Sequence, residues 1–251
     1  MDLTREEYRY FLKDLVRLTI DFSETDQSRG VEPPPIEKPV PDGGKRIDLV
    51  PVHDWKGVRN VDLTAAIAGR ESVRRFLPEP LTLDELSFLL WATQGVRSVA
   101  SASTAFRTVP SAGCRHSFET YLCVMNVQGL EQGTYRYLPL KHQLLLLAAR
   151  DGLGPQVAQA ALGQPFLSKS AVTFVWTAIP YRMEWRYGLA AHKVIAIDAG
   201  HVCQNLYLAC AAISAGTCAV AAYHQQAMDE LLGVDGEEEF TIYLAPVGKT
   251  G

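Results

Sequence analysis

The sequence has no long apolar run, no excess of positive charge and no paired-cysteine motif. No stretch of the 251 residues approaches eighteen uninterrupted apolar positions, and residues 1–18 carry charges throughout, without an apolar core or a cleavage site. A membrane-spanning helix or a secretory signal would need such a run. We therefore expect a cytoplasmic protein.

The charge balance also argues against two classes of partner. A net charge of -4 and a pI near 5.9 give no general attraction to nucleic acid or to an anionic membrane. With 47% hydrophobic and 21% charged residues, the chain can bury a large core. We expect a small-molecule substrate, with neither nucleic acid nor membrane as a partner.

Metal and dinucleotide motifs are incomplete. The five cysteines include no CxxC pair, so we expect reduced thiols. Asp198, His201 and Asn205 share one face of a predicted helix, but two ligand-type residues without a third favour a core hydrogen-bond network or a dimer contact over a metal site. The segment from Gly152 to Pro155 lacks the third glycine of a Rossmann fingerprint.

The chain divides by texture near residue 60. Residues 4–20 have the spacing of an amphipathic helix, whereas residues 21–60 are rich in proline and glycine and predict an extended arm. We predict two parts: residues 1–60 as the N-terminal helix and arm, and residues 61–251 as the main domain.

The main domain shows an α+β pattern. Thr82 to Glu85 form a capping box that predicts a helix ending at Gly95, and residues 96–118 look like a polar loop. Strands are predicted over 120–127, 134–137, 143–147, 171–178, 217–223 and 239–247, with helices over 153–162 and 192–215. We expect a sandwich of one mainly antiparallel sheet with packed helices.

Two segments are suited to bind a phosphate. Arg70, Ser72 and Arg74 alternate, so two guanidiniums and a hydroxyl can face one oxyanion, although a solvated basic turn would have the same sequence. The final predicted strand leads into Gly248-Lys249-Thr250, which is half of a P-loop. The other half is missing because Tyr243 stands where the first glycine belongs, so the rest of any phosphate site must lie elsewhere.

The segment from Pro110 to Gly113 predicts a tight turn with accessible backbone N–H groups. Such a turn can approach a flat ligand where a larger side chain would obstruct it. Taken alone, it is only a loop.

Five motifs in order give the sequence a recognisable character. They are R-x-S-x-R at residues 70–74, LLWATQG at 89–95, RTVPSAG at 107–113, DAGHVCQNLYLA at 198–209 and the terminal Gly-Lys. Together they resemble the nitroreductase superfamily of FMN enzymes, and more closely its SagB-type dehydrogenase branch, which includes the azoline oxidases. The resemblance covers residues 61–249.

The resemblance implies an intertwined homodimer with FMN at the interface, held by residues of both subunits. The implied FMN-binding residues are Arg70, Ser72, Arg74, Gln94, Arg107, Pro110, Ser111, Ala112, Gly113, Ala219, Val220, Ala221, Ala222, Gly248 and Lys249. The arginine–serine segment and the terminal Gly-Lys would hold the phosphate, ribityl and pyrimidine side. The 110–113 loop would line the isoalloxazine from the partner subunit, with Gln94 and Arg107 near its polar edge, and a backbone N–H of residues 219–222 would face N5.

Two segments depart from the relatives. Ala219 and Ala222 replace a proline and a glycine that relatives often carry. Arg186-Tyr187-Gly188 stands where azoline oxidases have Lys-Tyr-Gly, with Lys and Tyr assigned to proton removal. An arginine stays charged and is a poor base, so azole formation is less expected. The catalytic candidates are Tyr187 as acid or base and Arg186 as its electrostatic neighbour, although a tyrosine making one buried hydrogen bond would fit too.

These features favour an FMN-dependent oxidoreductase that exchanges a hydride with an organic substrate, with NADH or NADPH as a candidate transient donor. One alternative is a dehydrogenase of a peptide or small metabolite, similar to azoline oxidases. Another is a non-catalytic flavin-binding subunit. His116 is a candidate for substrate contact because it follows the 110–113 loop.

Overall fold

The computed structural model describes residues 4–251. Within them the α-helices are α1 Arg5–Leu12, α2 Leu63–Ala68, α3 Leu83–Gln94, α4 Leu153–Ala160, α5 Tyr181–Tyr187, α6 Ala191–Ala211 and α7 Gln225–Leu232. The strands are β1 Arg46–Asp48, β2 Val96–Ser101, β3 Thr104–Arg107, β4 Phe118–Val124, β5 Gly133–Leu138, β6 Gln143–Ala149, β7 Val172–Ala178, β8 Ala215–Thr217 and β9 Phe240–Lys249.

One seven-stranded sheet organises the chain, in the order β1-β6-β5-β4-β7-β9-β8. Each neighbouring pair is antiparallel; β4 and β7, for example, pair from Phe118 opposite Ala178 to Val124 opposite Val172. The predicted α+β fold with a mainly antiparallel sheet is confirmed.

The two faces of the sheet carry different helices because side chains alternate along each strand. Leu122 and Phe174 belong to the core on the side of α3 and α6, whereas Tyr121 and Val175 belong to the core with α4 and α7. Each of these side chains is buried, and full burial of such an apolar side chain contributes about 1.5–3 kcal/mol.

The start and end of α3 follow the predicted signals. The Thr82 hydroxyl accepts from the Glu85 N–H at 3.2 Å, and the Glu85 carboxylate accepts from the Thr82 N–H at 2.9 Å. The helix ends at Gln94, where the Gly95 N–H donates to the Trp91 carbonyl at 2.8 Å. This capping fixes the position of Gln94.

Several local predictions were wrong. The predicted polar loop contains the two-stranded hairpin β2–β3, and α5 was not foreseen. The predicted strand over 217–223 is replaced by β8, which ends at Thr217, and by an isolated bridge between Val220 and Leu244. The N-terminal helix ends at Leu12 and is followed by a separate 3-10 turn, Leu15–Leu18. Its apolar residues Tyr8, Phe11, Leu12, Leu15 and Leu18 are exposed in this chain.

The arm of residues 21–60 lies across the main domain and joins its sheet. β1 pairs with β6, and the Trp185 indole N–H donates to the Val31 carbonyl at 2.9 Å. The Lys38 backbone N–H donates to Glu119, whose carboxylate also pairs with the buried Arg182 at 2.6 Å. The Lys38 ammonium binds Glu239, so the arm neutralises a buried carboxylate of the domain.

The segment Tyr181–Ala211 is long and apolar enough, judged by length and composition alone, to cross a membrane. Nearly half of its most apolar window is buried inside the molecule, and α6 contacts α3 and β9. Core helices of soluble proteins share these properties, so the segment is weak evidence for a membrane.

Candidate functional site

The predicted site residues form two groups, and helix α6 contacts both of them. We call residues 70–74, 219–222 and 248–249 the phosphate half, and Gln94, Arg107, residues 110–113, Arg186 and Tyr187 the loop half. Tyr207 of α6 contacts the phosphate half, and Asp198, near the beginning of the same helix, contacts the loop half.

A cavity of about 420 Å³ adjoins the phosphate half, and its lining includes Arg70, Glu71 and Val73 of that half together with Arg75 and Tyr207. The Arg70 guanidinium lies 5.4 Å from the centre of the Tyr207 ring, and the Ser72 hydroxyl lies 2.9 Å from the Tyr207 hydroxyl. Both Arg70 and Ser72 are exposed. They are therefore accessible to an anion.

Backbone hydrogen bonds hold this segment against the edge of the sheet. The Val73 N–H donates to the Thr217 carbonyl, and the Leu77 N–H donates to the Lys249 carbonyl, both at 2.9 Å. Two glycines permit this approach, because a Cβ at Gly216 would lie 2.6 Å from Val73 and one at Gly248 would lie 2.8 Å from Phe76. Gly248 thus has a packing role in this arrangement.

Two predicted phosphate ligands point elsewhere. The Lys249 ammonium pairs with the buried Glu85 carboxylate and donates to the Ile213 carbonyl at 2.7 Å. The Arg74 guanidinium lies 6.0 Å from the Phe166 ring centre. Arg75, which sequence reasoning did not single out, lines the cavity instead.

The 219–222 segment is tied to the same half through its backbone. The Ala219 N–H donates to the Tyr207 hydroxyl at 2.8 Å, and Val220 exchanges two backbone hydrogen bonds with Leu244. Ala221 and Ala222 are exposed. Their N–H groups are therefore the accessible ones for a ligand.

In the loop half, Gly113 lies against both catalytic candidates. It has φ of 57°, in the left-handed region, and a Cβ there would lie 2.7 Å from both the Arg186 Cδ and the Tyr187 Oη. The Arg186 guanidinium carbon is 5.6 Å from the centre of the Tyr187 ring. The structure therefore brings Arg186 and Tyr187 together at the predicted flat-ligand loop.

The loop is fixed by side chains of its own half. The Ala112 N–H donates to Asp198 at 3.2 Å, and the His116 N–H donates to the Ser111 hydroxyl at 2.9 Å. Burial raises the pKa of Asp198, while the hydrogen bonds from Ser111 and Ala112 oppose that shift. Asp198 therefore acts as a clamp for the loop.

Gln94 and Arg107 form a buried polar pair beside the loop. The Arg107 guanidinium donates to the Gln94 side-chain oxygen and to the Ile36 carbonyl of the arm, both at 2.7 Å. Burial lowers the pKa of Arg107 to about 10. Within residues 4–251, the Arg107 Nε and the Gln94 Nε2 are buried without a hydrogen-bond partner, an arrangement that costs free energy unless a ligand or water satisfies them.

A cavity of about 450 Å³ opens onto this half, lined by Arg107, Pro110, Ser111, Cys114 and His116 among others. Burial, reinforced by the nearby guanidiniums of Arg107 and Arg115, lowers the pKa of His116 to about 3. Its imidazole is therefore neutral at ordinary pH. Burial also raises the pKa of Cys114, which favours the thiol over the thiolate.

The helix-face residues Asp198, His201 and Asn205 have separate contacts. Asp198 binds the loop, His201 lies 3.9 Å from Asp198, and the Asn205 amide donates to the Ala92 carbonyl at 2.8 Å. Across the described part of the chain, residues 4–251, no group of three or more metal-type side chains is arranged to hold an ion.

Within residues 4–251, the two halves adjoin separate cavities. Asp198 and Tyr207 are nine residues apart on α6, which separates their Cα atoms by about 13.5 Å along the helix axis. The two cavities have no lining residue in common.

Sequence reasoning missed the role of Tyr207, and it placed Asp198 in a hydrogen-bond network or dimer contact without identifying the 110–113 loop as its partner. Tyr207 is an aromatic residue on a helix crowded with alanine, and Asp198 is a buried carboxylate on the same helix. A hydroxyl or carboxylate among small residues can mark a hydrogen bond to another segment, and that signal could have found both.

Comparison with known proteins is consistent with this geometry. The model of the nitroreductase family matches residues 67–249. A nitroreductase homologue of Methanocaldococcus jannaschii is 33% identical over 192 residues, which is 76% of this chain and 93% of that protein. A solved nitroreductase-type structure from Ralstonia eutropha JMP134 superimposes with a TM-score of 0.68 at 27% identity, covering 88% of this chain and 95% of that one.

A third relative has a more specific name. The trifolitoxin-processing protein TfxB of Rhizobium leguminosarum bv. trifolii is 30% identical over 141 residues, which is 53% of this chain. The match spans 38% of the length of TfxB, well under half of that protein.

Proposed function

The chain belongs to the nitroreductase family, and from this premise we propose that it is an FMN-dependent oxidoreductase that exchanges a hydride with an organic substrate. Family membership supports an oxidoreductase, and the likeness to TfxB supports the SagB-type branch. The observation that supports the FMN assignment most directly is the cavity lined by Arg70. Beside it, backbone hydrogen bonds hold the arginine–serine segment against the edge of the sheet.

The residues present fit a flavin mononucleotide. The exposed residues Arg70 and Arg75 line one cavity and suit a phosphate, because a guanidinium fork binds its oxygens bidentately. The exposed Ser72 contacts the same Tyr207 side chain as Arg70 and offers a hydroxyl nearby. In the loop half, the buried Arg107 Nε and Gln94 Nε2 lack protein partners within residues 4–251 and match the polar edge of a flat ring. FMN, when bound, would supply the hydride chemistry.

We assign the holding of that group to the residues predicted from the motifs. Arg70, Ser72 and Arg74 take the phosphate, ribityl and pyrimidine side, for which Arg74 must leave its position over the Phe166 ring. The 219–222 backbone faces the ring. Lys249 is engaged by Glu85, so its part in phosphate binding requires an exchange of partners. Residues 61–251 are proposed as the FMN-binding domain, to which the arm adds β1.

We propose a homodimer in which each flavin site takes the phosphate half from one copy of the chain and the loop half from the other. The separate cavities beside the two halves support this arrangement. Light scattering on the yellow protein tests this: we expect a dimer, and a yellow monomer would contradict it.

Tyr187 is proposed to hold and move the proton that accompanies the hydride, with Arg186 stabilising negative charge on its oxygen. The contact of both side chains with Gly113 supports this assignment, since it directs them to the loop that would line the ring. Arg186 is not proposed as a base because a guanidinium keeps its proton at ordinary pH.

A second candidate is the dehydrogenation of a peptide or other small metabolite. It is favoured by the identity to TfxB, whose name describes processing of trifolitoxin, and by Arg186-Tyr187-Gly188 at the azoline-oxidase position. The replacement of lysine by Arg186 weighs against azole formation itself.

Anaerobic mixing of the purified protein with NADH or NADPH separates these candidates. Rapid bleaching of the visible flavin band is expected for a reductase. Persistent colour with both nucleotides would favour a dehydrogenase with another donor, and a colourless protein that takes up no added FMN would contradict the proposal as a whole.

A further inference from the structure

The Tyr207 side chain joins three segments of the phosphate half. Its hydroxyl lies 2.9 Å from the Ser72 hydroxyl and accepts from the Ala219 N–H at 2.8 Å, while its ring lies beneath the Arg70 guanidinium. Ser72 and Ala219 are distant in sequence and belong to opposite sides of the predicted flavin site. One phenol therefore connects the predicted phosphate end with the segment predicted to face the ring.

Counting donors and acceptors settles the direction of one of these hydrogen bonds and favours a direction for the other. A phenol has one proton to donate and can accept through its lone pairs, whereas an amide N–H can only donate. Tyr207 therefore accepts from Ala219. If the Tyr207 hydroxyl also accepted from Ser72, the Tyr207 proton would have no acceptor in either of these two contacts within residues 4–251. The proton is thus best placed on the bond to Ser72, with Tyr207 as the donor.

This direction has a consequence for Ser72. Because its oxygen accepts from Tyr207, its own proton is left to donate outward, on the exposed side of the segment. The bonds then run in one sense, from the Ala219 amide through the Tyr207 hydroxyl to the Ser72 hydroxyl. Hydrogen bonds aligned in series polarise one another, so the terminal hydroxyl becomes a better donor to an anion.

We propose that Tyr207 is a positioning residue that orients the Ser72 hydroxyl as a donor to the phosphate and fixes the 219–222 segment at the same time. The proposal rests on the proposed FMN site and adds to it a coupling between the two ends of that site. Tyr207 acts through Ser72 and Ala219, and no contact between Tyr207 and the ligand is required.

Tyr207→Phe is the matched substitution, because it keeps the ring beneath Arg70 and removes only the hydroxyl. In the FMN-free protein, amide hydrogen exchange at Ala219 should accelerate about tenfold, since its N–H loses its acceptor. This readout is independent of FMN. Unchanged exchange at Ala219 would overturn the assignment of Tyr207 as the acceptor.

The FMN dissociation constant provides the second readout. Loss of one neutral hydrogen bond predicts weakening of roughly 2–12-fold for Tyr207→Phe, and loss of a donor to a charged oxygen predicts roughly 12–160-fold for Ser72→Ala. In the Tyr207→Phe background, Ser72→Ala should cost at least threefold less than it does alone. A general loss of stability would not create this non-additivity, and full additivity would overturn the coupling.

Two controls separate the failure of this inference from failure of the proposed function. Tyr135→Phe removes a buried hydroxyl that donates one bond to the Glu131 carbonyl, away from the site, and should leave FMN affinity unchanged. Arg70→Ala should weaken FMN binding whether or not Tyr207 is coupled to Ser72. If Arg70→Ala has no effect, the FMN site itself is wrong; if it weakens binding but the cycle is additive, only the role of Tyr207 is wrong.

Discussion

The two halves of the site differ in how firmly contacts within the protein already hold their side chains in place. In the phosphate half, Arg70 and Ser72 are exposed and touch the protein through Tyr207. In the loop half, Arg107 is 4% exposed with two protein acceptors, and Gly113 is enclosed by Arg186 and Tyr187. Ordering an exposed arginine costs side-chain entropy at the moment of binding, whereas buried groups are already oriented. The comparison suggests that the phosphate half supplies affinity and the loop half supplies geometry for the reaction.

Tyr187→Phe tests the loop half with the largest expected effect. Loss of a general acid or base should slow turnover about 100-fold or more when chemistry limits the rate, while FMN affinity stays unchanged. Steady-state and single-turnover kinetics measure turnover, and flavin titration measures FMN affinity. Tyr181→Phe is the control on the same helix, because its hydroxyl binds Asp26 of the arm. Turnover at the wild-type rate in Tyr187→Phe would make the tyrosine a packing residue.

Arg70→Ala tests the phosphate half and should have the opposite profile. Removal of a guanidinium from a phosphate should weaken FMN retention by about 1.5–3 kcal/mol, the usual size for a hydrogen bond to a charged group. Equilibrium dialysis measures the change. Arg29→Ala removes an exposed arginine that pairs with Glu24 on the arm and should leave retention as it is. Equal retention in both variants would remove Arg70 from the site.

Acid should destabilise the loop half through His116. The folded-state pKa of about 3 lies below the ordinary value of 6.5, so between these limits the unfolded chain binds more protons. Its contribution to stability is complete above pH 6.5 and is lost as the pH falls, with about 1.4 kcal/mol gone by pH 5.5. Denaturant unfolding at several pH values measures this loss of stability in the FMN-free proteins. The wild type should show the loss as the pH falls, and the His116→Gln variant should not. His192→Gln, at an exposed pair with Glu184, should keep it.

The Arg186 series should give the smallest effect. If Arg186 acts through its charge beside Tyr187, Arg186→Ala should slow turnover by about 2–5-fold, the scale of an exposed cation–π contact. Arg186→Lys keeps a cation and restores the azoline-oxidase pair, so it should be milder. Single-turnover rates measured at several pH values provide the comparison. A lysine variant slower than the alanine variant would contradict a helpful role for positive charge at residue 186.

The sequence was sufficient to predict a secondary-structure element where a local signal in that element matched a buried face. The capping box at Thr82 and the apolar run of β7 identified their elements within about two residues, because each is fixed by its own hydrogen bonds and burial. The hairpin β2–β3 was missed because most of β2 is exposed, which leaves little alternation to detect. Helix α5 follows Pro180, a common start signal that the sequence analysis did not use.

The sequence reveals the motifs of the candidate site but not how those motifs are arranged in space. Adjacency in the chain could not establish that Arg186 and Tyr187 both reach Gly113, since neighbouring residues on a helix point about 100° apart. Nor could it show that Lys249 is engaged by Glu85, a partner far away in sequence. Such contacts depend on packing between elements, which no single segment encodes.

The ion pair between Lys38 and Glu239 joins residues 201 positions apart, and this has a consequence for synthesis on the ribosome. Lys38 is synthesised 201 residues before Glu239. At about 5–20 residues per second, roughly 10–40 s pass before its partner exists. During that time the arm cannot complete its contacts with the sheet, so this part of its docking must follow the synthesis of Glu239. Until then the Lys38 side chain lacks the carboxylate that holds it in the folded protein.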